Sequence, residues 1–117
     1  MGNPVKIFNL NPVLHQRTRM AIMSLICTAE EPLEFTELLK RLNLTKGNLS
    51  LHLRKLEEAG YLKVKKEFVE RIPRTSYSAT PTGRRDFTAY LALLEEIIAG
   101  SRGEDEGTGA GTPESAD

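Results

Sequence analysis

The sequence predicts a mainly α-helical domain with one small β-hairpin, an α+β class, and three observations carry that expectation. Apolar residues recur at three- and four-residue spacing through several separate stretches. One run, Leu62–Val69, alternates instead with a period of two. Capping residues and stop signals stand where the helical stretches begin and end.

The first long helix is expected to open at Asn11-Pro12, with Asn11 as its cap and Pro12 at the first helical position. Leu14, Ala21, Ile22, Leu25 and Ile26 form its apolar face, and it should end near Thr28-Ala29. Arg17 and Arg19 lie off that face and read as surface arginines; His15 reads as a solvated or interfacial histidine. Pro32-Leu33-Glu34-Phe35 comes next as a short extended piece.

A short helix, Thr36 to Leu42, is expected after it, capped by Thr36 and burying Leu38, Leu39 and Leu42. Only Asn43-Leu44 separates it from the following helix, so the two must cross sharply, as in a helix-turn-helix. That second helix begins at Thr45, whose hydroxyl can accept a backbone N–H of the first turn. Leu49, Leu53 and Leu56 fall on one stripe with His52 at its edge, and Gly60 suits the left-handed position that ends a helix. At about 100° per residue, the opposite side carries Gly47, Leu51 and Arg54, flanked by Asn48, Ser50 and Lys55. A helix anchored on one face and polar and basic on the other can enter a DNA major groove. Solvated charges on a bundle helix would look the same, but the residues after Gly60 tilt the balance toward DNA.

In Leu62–Val69, Leu62, Val64 and Phe68 face one way while Lys63 and Lys65 face the other. Glu70-Arg71-Ile72-Pro73-Arg74 reads as a basic, turn-like tip, and Thr75–Thr80 as a second strand. A hairpin directly after such a helix, with Arg71 and Arg74 near its tip, could follow a phosphate backbone or reach a minor groove. The last helix should start at Thr82 and run to about Ala99, with Gly100 as its stop. Phe87, Tyr90, Leu91, Leu94, Ile97 and Ile98 recur along it, and Leu93 widens the stripe. So many terminal apolar residues exceed what a small core needs. The expected dimer seam therefore comprises Leu14, Phe87, Tyr90, Leu91, Leu94, Ile97 and Ile98, with packing on the chain's own first helix as the competing use.

Two segments, LTKGNLSLHLRKLEEAGYLKVKK (Leu44–Lys66) and RIPRTSYSATPTGRRDF (Arg71–Phe87), resemble the winged-helix DNA-binding domains of small prokaryotic regulators of the MarR- and ArsR-like kind. The likeness covers about the first hundred residues. It implies a winged helix-turn-helix with a C-terminal dimerisation helix, in which Thr45–Ala59 is the recognition helix and the hairpin is the wing. Lys46, Asn48, Ser50, Leu51 and Arg54 then face the groove. The chain departs from metal-sensing ArsR members, since its one cysteine, Cys27, lies in the first long helix.

With 117 residues the chain accommodates one domain, assigned to residues 1–100 with its terminal dimerisation helix at 82–99. A single cysteine fits a reducing cytoplasm, and Cys27 reads as a small buried hydrophobe. No apolar run approaches the roughly 20 residues of a membrane span, and the N-terminus lacks the core of a signal peptide. The formal net charge of zero conceals an uneven distribution. Residues 101–117 hold one basic and five acidic residues, leaving 15 basic and 11 acidic residues, a net of +4, in residues 1–100. That Gly-rich acidic tail is expected to be disordered and solubilising.

Function is read from the groove-facing set. Lys46, Arg54, Lys55, Arg71 and Arg74, with the amides near Thr45, are expected at phosphates; Asn48, Ser50, Leu51 and Arg54 are expected at base edges. The expected partners are double-stranded DNA and a second copy of the chain. No catalytic dyad, metal spacing or phosphate loop is visible, so neither enzyme activity nor a cofactor or metal is expected, and no effector is identified. The competing class is a winged helix used for protein–protein assembly, which Leu51 would suit.

Overall fold

The computed structural model describes residues 4–103, with the element order α1 (Pro4–Phe8), α2 (Arg17–Thr28), β1 (Leu33–Glu34), α3 (Phe35–Leu42), α4 (Lys46–Glu58), β2 (Leu62–Val69), β3 (Ile72–Ala79) and α5 (Pro81–Gly103). It packs as two units. Among the described residues, one spans Pro12–Thr88 and the other joins residues 4–11 to residues 89–103.

The Pro12–Thr88 unit holds the helix-turn-helix and the sheet. Its core contains Leu14, Ile22, Met23, Ile26, Leu33, Leu38, Leu49, Leu53, Leu56, Tyr61, Leu62, Tyr77 and Phe87, and the described residues include no buried polar or charged side chain. The three strands lie in the order β1-β3-β2, and both pairings are antiparallel. β1 meets β3 only at Leu33↔Tyr77 and Glu34↔Ser76, whereas β2 and β3 pair from Leu62↔Ala79 to Val69↔Ile72. Beyond Ser76 the wing is thus a two-stranded ribbon.

Several local details differ from the sequence reading. The helix expected from Pro12 starts at Arg17, because Gln16 takes the capping role: its Oε1 accepts from the Arg19 backbone N–H at 2.8 Å. Upstream the chain turns, with the Gln16 N–H donating to the Leu14 carbonyl at 2.8 Å. Thr36 does not cap α3; Glu34 occupies that position without a side-chain cap bond, and Phe35 is already helical.

The wing's turn is shorter than expected. Glu70 and Arg71, with φ of 53° and 71°, form a two-residue connection with both central residues left-handed, and this matches the twist of the ribbon. Ile72, Pro73 and Arg74 are therefore strand residues. Pro73 faces Phe68 one pair in from the Val69↔Ile72 pair that closes the turn, and β1 does not reach it. Its missing N–H then falls on the side with no strand to receive it.

The last helix begins one residue early and passes through Gly100 to Gly103. Thr80 precedes it as the cap, its Oγ1 accepting from the Gly83 N–H at 2.9 Å while Pro81 takes the first helical position. A glycine inside a helix costs only about 1 kcal/mol, so Gly100 is a weak stop. The acidic tail beyond Gly103 lies outside the described residues.

The second unit contains α1, which periodicity does not reveal, and the later part of α5. Lys6 Nζ and Glu96 Oε1 pair at 2.8 Å between them. Leu10 and Tyr90 are buried, whereas Ile7, Phe8, Leu91 and Ile98 are exposed.

Candidate nucleic-acid interface

The turn between α3 and α4 sets the angle of the second helix. Asn43 adopts the left-handed conformation (φ 53°, ψ 50°) that closes α3, a geometry asparagine tolerates better than most residues. Thr45 then caps α4, its Oγ1 accepting from the Asn48 N–H at 3.2 Å. At the far end the Gly60 N–H reaches the Glu57 carbonyl and the Tyr61 N–H the Leu56 carbonyl, with Gly60 at φ 83°. Both ends of α4 are thereby held as the sequence required.

Leu49, Leu53 and Leu56 are buried, and Lys46, Gly47, Asn48, Ser50, Leu51, Arg54 and Lys55 are all exposed. Leu51 retains 40% of its surface, too much for a core leucine at this depth of the helix. The outward face of α4 is thus exposed, polar and cationic apart from Leu51, and at Ser50 and Arg54 it borders the hairpin across an open cleft.

His52, at the edge of that strip, is tied from behind. Arg19 donates through Nη1 to His52 Nδ1 at 3.1 Å and through Nε to the Val13 carbonyl at 2.6 Å. Arginine can only donate, so Nδ1 must be the acceptor and the proton resides on Nε2. Burial, then the neighbouring Arg19 and Lys55 charges, hold the His52 pKa below its ordinary value and favour this neutral form. Arg19 therefore braces α4 instead of lying free on the surface.

The hairpin supplies the second part of the face. Along β2, Leu62, Val64, Lys66 and Phe68 share one side, and Lys63, Lys65 and Glu67 the other. Val64 and Lys66, with Tyr77 of β3, line a cleft of about 420 Å³ whose other wall is Ser50, Leu53, Arg54 and Glu57 of α4. Lys66 therefore points toward α4, and Lys63 and Lys65 point away. The alternation that assigns Leu62 and Val64 inward also assigns Lys66, so the sequence carries the signal for this residue although the expected phosphate set omits it. Arg71 sits in the turn. Arg74 lies back along β3, where its Nη1 pairs with Glu34 Oε2 at 3.2 Å. An exposed pair of this kind contributes little to stability, and a phosphate can replace the carboxylate.

The proposed seam residues separate by burial. Leu14 and Phe87 are core residues of the Pro12–Thr88 unit and Tyr90 is likewise buried, which removes all three from an exposed seam. Leu94 and Ile97 are half-buried, while Leu91 and Ile98 keep 43% and 44% of their surface. Cys27 is half-buried, and burial raises its thiol pKa although Arg84 opposes the shift. Among the described residues no His, Cys, Asp and Glu cluster could hold a metal ion, and no helix is long and apolar enough to cross a membrane.

Residues 18–98 match the family described as the winged helix DNA-binding domain. An uncharacterised protein of Methanocaldococcus jannaschii is 38% identical over 93 residues, covering 80% of this chain and 94% of its own length. The structure of a transcriptional regulator homologue from Pyrococcus horikoshii OT3 superposes with a TM-score of 0.75 at 31% identity, spanning 83% of this chain and 95% of that one. MarR shares the fold, with a TM-score of 0.65 at 22% identity over 82% of this chain and 71% of its own. The helix-turn-helix, the wing and these likenesses agree: the chain belongs to the winged-helix DNA-binding domain family, with a MarR-like fold.

Proposed function

We propose that the chain is a cytoplasmic, sequence-specific regulator of transcription that binds double-stranded DNA as a homodimer on a near-palindromic site and represses by occupying promoter DNA. The observation that carries this reading is the outward face of α4, where Lys46, Asn48, Ser50, Leu51, Arg54 and Lys55 are exposed above a fully packed leucine row. Asn48, Ser50, Leu51 and Arg54 are suited to base edges: arginine to guanine O6 and N7, asparagine to adenine, leucine to a thymine methyl. Lys46, Lys55, Arg71 and Arg74 are suited to phosphates, with the amides after Thr45 assisting. Lys66 joins this set from the cleft side of the wing.

The test is Arg54→Ala, measured on a duplex enriched from a random pool and on unselected duplex. If Arg54 reads a base, the enriched duplex loses about 1–3 kcal/mol and unselected duplex loses less. Equal losses on both would reassign Arg54 to the backbone.

Exposed Leu91 and Ile98 on α5, together with exposed Ile7 and Phe8 on α1, support the homodimer. A two-fold pair would set its recognition helices about 34–36 Å apart, one turn of the duplex. Leu91→Asp combined with Leu94→Asp should yield monomers on sizing, because two charges would have to be buried in an apolar seam. Persistence of the dimer would move the seam elsewhere.

A further inference from the structure

The wing carries an apolar tip that phosphate binding does not use. Phe68 is 75% exposed and Ile72 59% exposed, although both lie in paired strands of the ribbon. Phe68 shares its side with Lys66 and with Pro73 across the ladder, so the ring projects on the side of the hairpin that faces α4. From Lys66↔Thr75 to Val69↔Ile72 the ribbon extends roughly 10–13 Å past its last pairing with β1.

We propose that Phe68 is a wedge that enters the minor groove beside the recognition helix's site and partly unstacks a base step there. The proposal rests on the DNA-binding reading and specifies the wing's part in it. The surroundings of the ring favour a nucleic-acid occupant over a protein one. Lys66 lies two residues back on the same side of the ladder and Arg71 follows Glu70 in the adjoining turn; neither cation makes an ion pair among the described residues, while Glu67 is paired with Lys65 on the opposite side. A minor groove about 6 Å wide offers phosphates on both rims and an apolar stack at its floor, which matches an exposed ring with Lys66 on its own side and Arg71 in the adjoining turn. A protein-docking patch would be broader and less charged. Pyrimidine–purine steps unstack most readily, so the step under Phe68 should be of that kind, and the duplex should bend away from the wing.

The test uses the full chain and the duplex enriched from a random pool, labelled at both ends with a fluorescent donor and acceptor. Phe68 is exposed, so Phe68→Ala should fold as the parent does. It is expected to weaken binding by about tenfold or more, the scale of a lost base–aromatic contact, and to return end-to-end energy transfer toward that of free duplex. Phe68→Leu, which keeps an apolar wedge, should retain most of both signals. The wedge is overturned if Phe68→Ala matches the parent in affinity and energy transfer while Arg54→Ala still weakens binding, and the DNA-binding reading then stands alone. It is equally overturned if Phe68→Ala converts a dimer to a monomer on sizing, which would seat the ring on a second copy. Failure of the parent protein to enrich any duplex removes both readings together.

Discussion

Leu49→Ala is expected to lower stability by about 2–5 kcal/mol, toward the upper end of that range. Leu49 has no exposed surface and belongs to the leucine row with which α4 is seated. Truncation loses the transfer free energy of its methyl groups and leaves a cavity among side chains that α2, α3 and the sheet already hold in place. A small domain has only about 5–15 kcal/mol of net stability, so this one change would remove a large share of it. Leu51→Ala, two residues away, should cost about 0.5 kcal/mol or less, since that side chain is 40% exposed. Urea unfolding of both variants decides the matter. A midpoint shift for Leu51→Ala as large as that for Leu49→Ala would mean that the two faces of α4 have been assigned the wrong way round.

Gly83→Ala is expected to cost about 1–3 kcal/mol or more, for a reason that sequence alone does not disclose. Gly83 is buried in the first turn of α5, and an added Cβ would lie 3.0 Å from both the Cα and the carbonyl carbon of Tyr61 and closer still to its oxygen. That carbonyl accepts the Thr80 N–H at 3.0 Å, and Thr80 Oγ1 donates to the Gly60 carbonyl at 2.6 Å. Tyr61 also donates through its hydroxyl to Asp86 Oδ2 at 3.0 Å. Backbone atoms held by this many bonds cannot step aside, so the methyl group must displace α5 or break the junction. Alanine would ordinarily stabilise a helix relative to glycine, and a thermal melt showing a gain would contradict this close approach.

The parts of the fold legible in the sequence are those fixed by local chemistry. Thr45 and Gly60 bound α4 through hydrogen bonds and a backbone conformation that few other residues supply as well, and the leucine spacing between them admits one buried face. The alternation of Leu62–Val69 marks β2 over its whole length. Sequence and structure part where two local solutions compete. Asn11-Pro12 is a sound helix start, yet Gln16 caps α2 instead, with Arg19 reaching back to the Val13 carbonyl. The Glu70-Arg71 turn places two ordinary residues at positive φ, where glycine or asparagine would have marked the site. Ribbon register decides its position, and register is a property of two strands rather than of the turn.

For the candidate interface, helical periodicity is sufficient to separate the α4 residues that point outward from those that point inward. It does not separate a core from a seam, which is why Leu14, Phe87 and Tyr90 are expected at a partner and are found buried within the protomer. Nor does it foresee that Arg74 pairs with Glu34, because the two are 40 residues apart and meet only through the sheet.

Backbone amide shifts recorded while a selected duplex is titrated into the labelled protein probe the recognition surface most directly. The expected result is a contiguous set of perturbed amides from Lys46 to Lys55 and around Arg71, with a midpoint that weakens steeply as salt is raised. Perturbations confined to α5, or binding indifferent to salt, would contradict the assignment of the α4 face to DNA.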